Sequence, residues 1–243
     1  GDSHFGTLMY DLNNRLSSRN YNFRPITARS FFYFKESLKL HSNGKLIEEY
    51  FLTVRERINK IVSKSENNIF IFGGASAVYI FDKRFYRDNK VVGDPVVNYV
   101  NKDTLKFSSK NLMNEFREQI ESISKNNKVI LVYPTPEVGF NLQYKLLKGR
   151  NWKQMEKNPT LIKHPYKEYM AINKDVFDFF DTLKNKNIHR IFPHKLFCNT
   201  KIKDQCLMHN EKDIFFSDEY HLSIVGAEMV SQLLIDKIDN LYD

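Results

Sequence analysis

The chain has 243 residues, of which 42% are hydrophobic and 27% charged, so it is long enough to bury a large core and has an ordinary globular composition. No apolar run reaches the length of a membrane-spanning helix, which excludes a transmembrane segment within these residues. The net charge of +8 would suit an anionic partner, but the lysines are spread widely and no nucleic-acid motif accompanies them, so we expect no nucleic-acid partner.

Helices and strands alternate along the chain, as judged from the spacing of apolar residues. In chain order we predict a helix at 4–19, a strand at 28–34, a helix at 46–63, a strand at 68–74, a helix at 110–124, a strand at 128–136, a helix at 169–184, a strand at 187–192 and a helix from about Ser223. This alternation is typical of an α/β fold in which helices cover both faces of a mostly parallel sheet. We therefore expect one domain over residues 1–243.

Functional residues of such a sheet lie beyond the carboxyl ends of its strands. The chain opens on Gly-Asp-Ser directly before a predicted helix, with no strand ahead of it. We expect the first strand to precede Gly1 in a longer protein. A long irregular segment, 137–167, follows a predicted strand, and such segments are often functional.

Two cysteines, Cys198 and Cys206, lie in a polar, loop-like segment. A nearby pair with no other cysteine in the chain fits a local disulfide and an oxidising compartment, although spacing alone does not establish a bridge. A zinc site would need two further ligands at short spacing, and the neighbouring histidines form no such pattern. We expect no metal.

Ser3 lies between a glycine and the start of the first helix. A serine hydroxyl becomes a nucleophile when an oriented histidine takes its proton, and N–H groups at a helix start can stabilise a developing oxyanion. The same position suits an ordinary helix cap formed by Asp2 or Ser3. By itself the triplet favours the cap.

Asp218 and His221 are three residues apart, directly before the last predicted helix. At this spacing a carboxylate can orient an imidazole, and His221 can then act as general base on Ser3 if the fold joins the two ends of the chain. An Asp-x-x-His pair is common by chance. Its conjunction with Gly-Asp-Ser before the first helix is more specific and predicts a Ser-His-Asp triad.

Three stretches carry a family resemblance: GDSHFGTLMYDL, VILVYPTPEVGFN and the cysteine pair running into DEYHLSIVGAEMV. They resemble the SGNH (GDSL-type) esterases and acyltransferases. More narrowly, they resemble the SGNH domain appended to acyltransferase-3 membrane proteins, which O-acetylate bacterial surface glycans. The resemblance covers both ends and one middle strand.

The resemblance implies a flavodoxin-like, three-layer α/β/α fold with Ser3 as nucleophile, His221 as base and Asp218 as the group that orients the base. It implies that the helix after His221 packs against the first helix. It also implies a membrane acyltransferase domain upstream and a periplasmic location, at the extracytoplasmic face of a bacterial inner membrane. Such a location would suit a disulfide between the two cysteines.

Two blocks of the family pattern match less well. The second block supplies a glycine N–H to the oxyanion hole beside that of Ser3, and Gly73 or Gly74 follows a predicted strand at the corresponding place. A strand-ending turn explains these glycines equally well. The third block, Gly-x-Asn-Asp, is absent, and its conceivable replacements are Asn98, Asn101 and Asn141. An oxyanion donor that is not replaced costs about 3–4 kcal/mol of transition-state stabilisation, which affects the rate more than the reaction class.

We therefore expect acetyl transfer to hydroxyls of a cell-surface polysaccharide such as lipopolysaccharide, through an acyl-enzyme on Ser3 and without a cofactor. The partners are an acyl donor and a glycan acceptor. Asn141, Tyr144 and Trp152 are the candidate acceptor contacts. Two alternatives stay open, a carbohydrate acetyl esterase with the same triad and a non-catalytic glycan-binding or docking domain.

Overall fold

The computed structural model describes residues 1–28, 31–40, 45, 50–83, 86–87, 90–91, 99–137, 142 and 161–241. The helices in these ranges are α1 (Ser3–Gly6), α2 (Met9–Ser17), α3 (Tyr50–Val62), α4 (Ser76–Phe81), α5 (Ser109–Ile123), α6 (Tyr166–Thr182), α7 (His194–Phe197) and α8 (Ile224–Asp239). The strands are β1 (Leu38–Lys39), β2 (Ile69–Phe72), β3 (Tyr86–Arg87), β4 (Lys90–Val91), β5 (Tyr99–Val100), β6 (Lys128–Val132), β7 (Lys163–Pro165), β8 (Ile188–Ile191) and β9 (Gln205–Leu207).

The central sheet is parallel and has the strand order β2-β6-β8 in the described part of the chain. Its register pairs Phe72 with Leu131 and Val132 with Ile191, so the three strands end together at one edge. Short antiparallel pairs lie outside this sheet: β1 with β5, β3 with β4, and β7 with β9.

Strand β6 shows why the fold has three layers. Ile130 and Val132 belong to an apolar cluster with residues of α1, α2 and α8, whereas Val129 and Leu131 belong to a second cluster with residues of α4, α5 and α6. Successive side chains of a strand point to opposite faces, so a strand with helices on both sides is apolar throughout. The predicted α/β fold, with helices on both faces of a parallel sheet, is confirmed.

Three predictions differ from the structure. The segment predicted to be irregular, 137–167, ends in β7 and the first residues of α6. The strand predicted at 28–34 is wrong for its described residues, because Phe31–Phe34 are buried but belong to no strand. The amide of Phe32 donates to the Tyr99 hydroxyl at 2.8 Å instead of to a neighbouring strand. The helix predicted at 4–19 is divided into α1 and α2, and the Thr7 hydroxyl between them donates to the His4 carbonyl at 2.8 Å.

The edge of β2 that faces away from β6 borders a groove of about 470 Å³. Phe5, Met9, Ile71 and Ile238 are among its lining residues. The first strand that we expect before Gly1 stays a prediction. No helix in the described part of the chain combines the length and the apolar character needed to cross a bilayer.

Candidate active site

Asp2 forms the start of α1. Its carboxylate accepts a hydrogen bond from the amide of Phe5 at 3.3 Å, and its carbonyl accepts from the amide of Gly6 at 2.8 Å. Asp2 therefore acts as the helix cap. The hydroxyl of Ser3, the first residue of α1, is left for other partners.

The partner of the Ser3 hydroxyl is His221. The Ser3 Oγ lies 3.0 Å from His221 Nε2, and His221 Nδ1 lies 2.6 Å from Asp218 Oδ2. The carboxylate favours the tautomer with its proton on Nδ1, so that Nε2 accepts a hydrogen bond from the serine hydroxyl. The structure thus brings together the three residues that the sequence predicted.

Both carboxylate oxygens of Asp218 accept hydrogen bonds. Its Oδ1 accepts from the amides of Tyr220 at 2.9 Å and His221 at 2.7 Å, while Oδ2 holds the imidazole. Burial alone would raise the pKa of Asp218, but the hydrogen bonds from the His221 ring and from these two amides lower it to about 2. The carboxylate is therefore charged at neutral pH, as a group that orients a histidine and stabilises its imidazolium must be.

The turn that carries His221 is closed by its own backbone and leads directly into α8. The amide of Ser217 donates to the His221 carbonyl at 2.9 Å, and Phe216 forms a bridge with Leu222. Ser223 then caps α8 by accepting from the amide of Gly226 at 3.1 Å. The imidazole is therefore held on a short, well-bonded turn.

Packing of α2 against α8 brings the two ends of the chain together. Leu12 and Leu16 of α2 and Leu234 of α8 are buried in the same apolar cluster. At the rim of this contact, Arg15 donates to the side-chain oxygen of Gln232 at 2.6 Å. The predicted contact between the first helix and the helix after His221 is present.

Gly73 and Gly74 lie where β2 ends, against the start of α1. The second carboxylate oxygen of Asp2 accepts from the amide of Ala75 at 2.9 Å. Gly74 has φ +131°, and a Cβ at this position would lie 2.6 Å from Asp2 Oδ1. A Cβ on Gly73 would overlap the ring of Phe5. Glycine is therefore required for this loop to approach Asp2 and Phe5 at the start of α1. The Ser3 amide, at the first position of this helix, has no acceptor within the helix.

The other predicted site residues have different outcomes. Asn98, Asn141, Tyr144 and Trp152 lie outside the described residues. Asn101 holds its own turn, because its side-chain oxygen accepts from the amides at positions 103 and 104 at 2.9 and 3.0 Å.

The predicted disulfide is confirmed. Cys198 and Cys206 are bonded and buried, and the loop between them is closed further by the Asn199 amide, which donates to the Gln205 carbonyl at 2.8 Å.

Sequence reasoning missed three further side chains near the triad: His4, Glu137 and Tyr220. The rings of His4 and Tyr220 stack on each other beside His221, and Glu137 interacts electrostatically with His4 and His221. His4 and Tyr220 could have been identified from the sequence because they are the immediate neighbours of Ser3 and His221. Glu137 could have been identified because it lies just beyond a predicted strand, where functional residues of such a sheet are expected.

At the carboxyl edge of the parallel sheet, the serine is hydrogen-bonded to a histidine, which is hydrogen-bonded to an aspartate. This arrangement is typical of serine-dependent esterases and acyltransferases. The chain belongs to the SGNH domain family described as fused to AT3 domains, whose family model matches residues 1–236. The family resemblance predicted from the sequence is confirmed.

The fold is similar to that of a solved structure from Salmonella ser. Paratyphi A, the periplasmic domain of a lipopolysaccharide acetyltransferase. The TM-score is 0.56 and the sequence identity 17%, and the alignment covers 98% of this chain and 81% of that chain. A comparison with curated proteins gives no match.

Proposed function

We propose that this domain transfers acetyl groups to hydroxyls of a bacterial cell-surface polysaccharide, with Ser3 as nucleophile, His221 as general base and Asp218 as the residue that orients it. One observation carries the proposal. The hydrogen bonds Ser3–His221 and His221–Asp218, at 3.0 and 2.6 Å, supply a base for the proton that Ser3 must lose and a carboxylate that stabilises the resulting imidazolium.

In the first step, Ser3 Oγ attacks the carbonyl carbon of the acyl donor while His221 Nε2 takes the hydroxyl proton. The negative charge that develops on the carbonyl oxygen is stabilised by N–H donors, for which the amides of Ser3 and of Gly73 or Gly74 are the candidates. His221 returns the proton to the leaving group, and an acetyl ester remains on Ser3.

In the second step, a sugar hydroxyl takes the place of Ser3 in the same chemistry. His221 removes its proton, the hydroxyl oxygen attacks the ester carbonyl, and the bond to Ser3 Oγ breaks as the serine regains its proton. Asp218 stabilises the imidazolium that forms in each step, because its carboxylate is charged throughout.

The relatives support the choice of substrate and location. The family is described as fused to AT3 domains, and the neighbouring structure is named as part of a lipopolysaccharide acetyltransferase and as periplasmic. We infer that this domain is linked to a membrane acyltransferase domain upstream and works outside the cytoplasm. The disulfide fits an oxidising compartment.

Hydrolysis of the same acyl-enzyme is the second candidate function. The side chains of His221 and Asp218 are 22% and 32% exposed, so water can reach the base. Water and acceptor compete for one intermediate, and a carbohydrate acetyl esterase would use the same three residues.

The test is acetate release from p-nitrophenyl acetate by the wild type, Ser3→Ala and His221→Ala. Either substitution should lower kcat by at least about 10³-fold, because each removes a member of the triad. Ser63→Ala, which removes an exposed serine hydroxyl from the end of α3, is the matched control. If the folded Ser3→Ala protein is as fast as the wild type, the proposal is wrong and a non-catalytic glycan-binding domain is favoured.

A further inference from the structure

Three aromatic rings meet at the Ser3–His221 hydrogen bond. His4 and Tyr220 stack face to face, with ring centroids 4.9 Å apart and planes 16° apart. The Tyr220 and His221 rings are 4.4 Å apart, and those of His4 and His221 are 5.3 Å apart. His4 directly follows the nucleophile and Tyr220 directly precedes the base, so both ends of the chain contribute to this stack.

A carboxyl group reaches the same place from the sheet. Glu137 lies five residues beyond the end of β6, the middle strand, and is partly buried. The Tyr169 hydroxyl donates to the Pro134 carbonyl at 2.7 Å and holds the segment that leads to it. Burial raises the pKa of Glu137. The neighbouring His4 and His221 lower this pKa, whereas Asp2 raises it further. Glu137 therefore lies beyond the carboxyl end of the middle strand and close enough to His4 and His221 to interact with them electrostatically.

The chemistry of the triad does not need these three side chains. Asp218 already holds His221, and both oxygens of Asp2 are bonded to backbone amides. What the transfer step does need is a surface that holds an alcohol against the Ser3 ester long enough to exclude water. A carboxyl and an imidazole can hydrogen-bond neighbouring hydroxyls, and an aromatic face can pack against the C–H face of a sugar ring.

We propose that His4, Tyr220 and Glu137 form the acceptor subsite, which binds a pyranose ring and presents one of its hydroxyls to the acetyl ester on Ser3. This inference rests on the proposed function. His221 takes the proton of the bound hydroxyl, the new ester bond forms as the bond to Ser3 Oγ breaks, and the proton passes to Ser3. The subsite thereby decides between transfer and hydrolysis.

The experiment measures how the acyl-enzyme divides between acceptors. The protein is acetylated with p-nitrophenyl acetate in the presence of methyl pyranosides (glucoside, galactoside, mannoside and N-acetylglucosaminide) or of methanol at equal concentration. Acetylated glycoside, methyl acetate and free acetate are then quantified. The ratio of transfer to hydrolysis depends only on steps after the acyl-enzyme, so it is insensitive to slower acylation.

The wild type should acetylate at least one pyranoside about tenfold more efficiently than methanol. Each of the substitutions Glu137→Gln, His4→Ala and Tyr220→Ala should reduce this preference about tenfold. A tenfold change corresponds to the loss of one contact of about 1.4 kcal/mol. Glu118→Gln, on the exposed side of α5, is the matched control and should keep the preference. Circular dichroism establishes that each variant is folded.

Three results would overturn the subsite. The first is a wild type that prefers no pyranoside over methanol. The second is a preference that survives all three substitutions. The third is slower acetate release with an unchanged preference, which would mean that the rings only position His221. Failure of the proposed function looks different, because Ser3-dependent acetate release would then be missing in the wild type.

Discussion

Substitution of Gly74 by alanine tests whether close approach of the β2 loop to α1 builds the site. At φ +131° a side chain is strained, which costs about 1–3 kcal/mol. The new Cβ would also lie 2.6 Å from Asp2 Oδ1, so the carboxylate must move away from the Ala75 amide. Loss of that charged hydrogen bond costs about 1.5–3 kcal/mol.

Together these terms predict a destabilisation of about 2.5–6 kcal/mol, or a melting temperature lower by about 5–20 °C for a domain of this size. Because Asp2 directly precedes Ser3, the nucleophile and its amide move as well. Acetate release by the protein that remains folded should therefore fall by about 10²-fold or more. Differential scanning calorimetry and the p-nitrophenyl acetate assay measure the two effects.

Gly6→Ala provides the control. A Cβ on Gly6 has the Thr27 hydroxyl at 3.9 Å as its nearest neighbour, and Gly6 has no positive φ, so alanine should fit there without strain. If Gly74→Ala melts within about 2 °C of the wild type, the strain and contact argument is refuted, since even 1 kcal/mol corresponds to a shift of this size.

Three further predictions concern charge and covalent structure. Asp218→Asn should lower kcat by about 10³–10⁴-fold. The pKa of Asp218 is about 2 in the folded state against an ordinary value of 3.8. The stability that its charged carboxylate adds to the fold is therefore complete above pH 3.8 and lost as the pH falls towards 2. Thermal melts should show that Asp218→Asn loses less stability than the wild type across this window. Burial lowers the pKa of Lys39 from 10.5 to about 7. Between these pH values the unfolded chain binds more protons than the folded chain, so the stability of the wild type rises with pH. Lys39→Met should remove this rise, which thermal melts at both ends of the window would show. Replacing both Cys198 and Cys206 by alanine opens a loop with a sequence separation of 8 and should cost about 2–3 kcal/mol in urea denaturation; an unchanged midpoint would contradict this expectation.

The sheet and its main helices could be predicted because their patterns are physically simple. Strands β2 and β6 are apolar on both faces, and α5 repeats apolar residues every three or four positions. The segment 31–34 shows the limit of this reasoning. Its aromatic side chains are buried by packing, with Phe32 against Phe116, and a run of buried aromatics looks like a strand in the sequence whether or not a neighbouring strand exists.

The site was predictable where chemistry left a local pattern. Asp218 and His221 are bonded within a single turn, and Ser3 opens a helix. The sequence showed no link between Asp2 and Ala75, or between Glu137 and His4, because each pair comes from separate elements that meet only when the parallel strands end in register. Contacts of this kind depend on the three-dimensional register, which no short motif encodes.

The distance between nucleophile and base is therefore a property of the whole fold. The hydrogen bond between Ser3 and His221 joins residues 218 positions apart, and it connects the first residue of α1 with the turn that precedes α8. Burial of Leu12, Leu16 and Leu234 between α2 and α8 supplies the energy that holds these segments together. Local opening of α8 would separate base from nucleophile while the central sheet is still intact. Activity should consequently be lost before the core unfolds, which makes the acetyl ester assay a more sensitive measure of this helix contact than the overall melting curve.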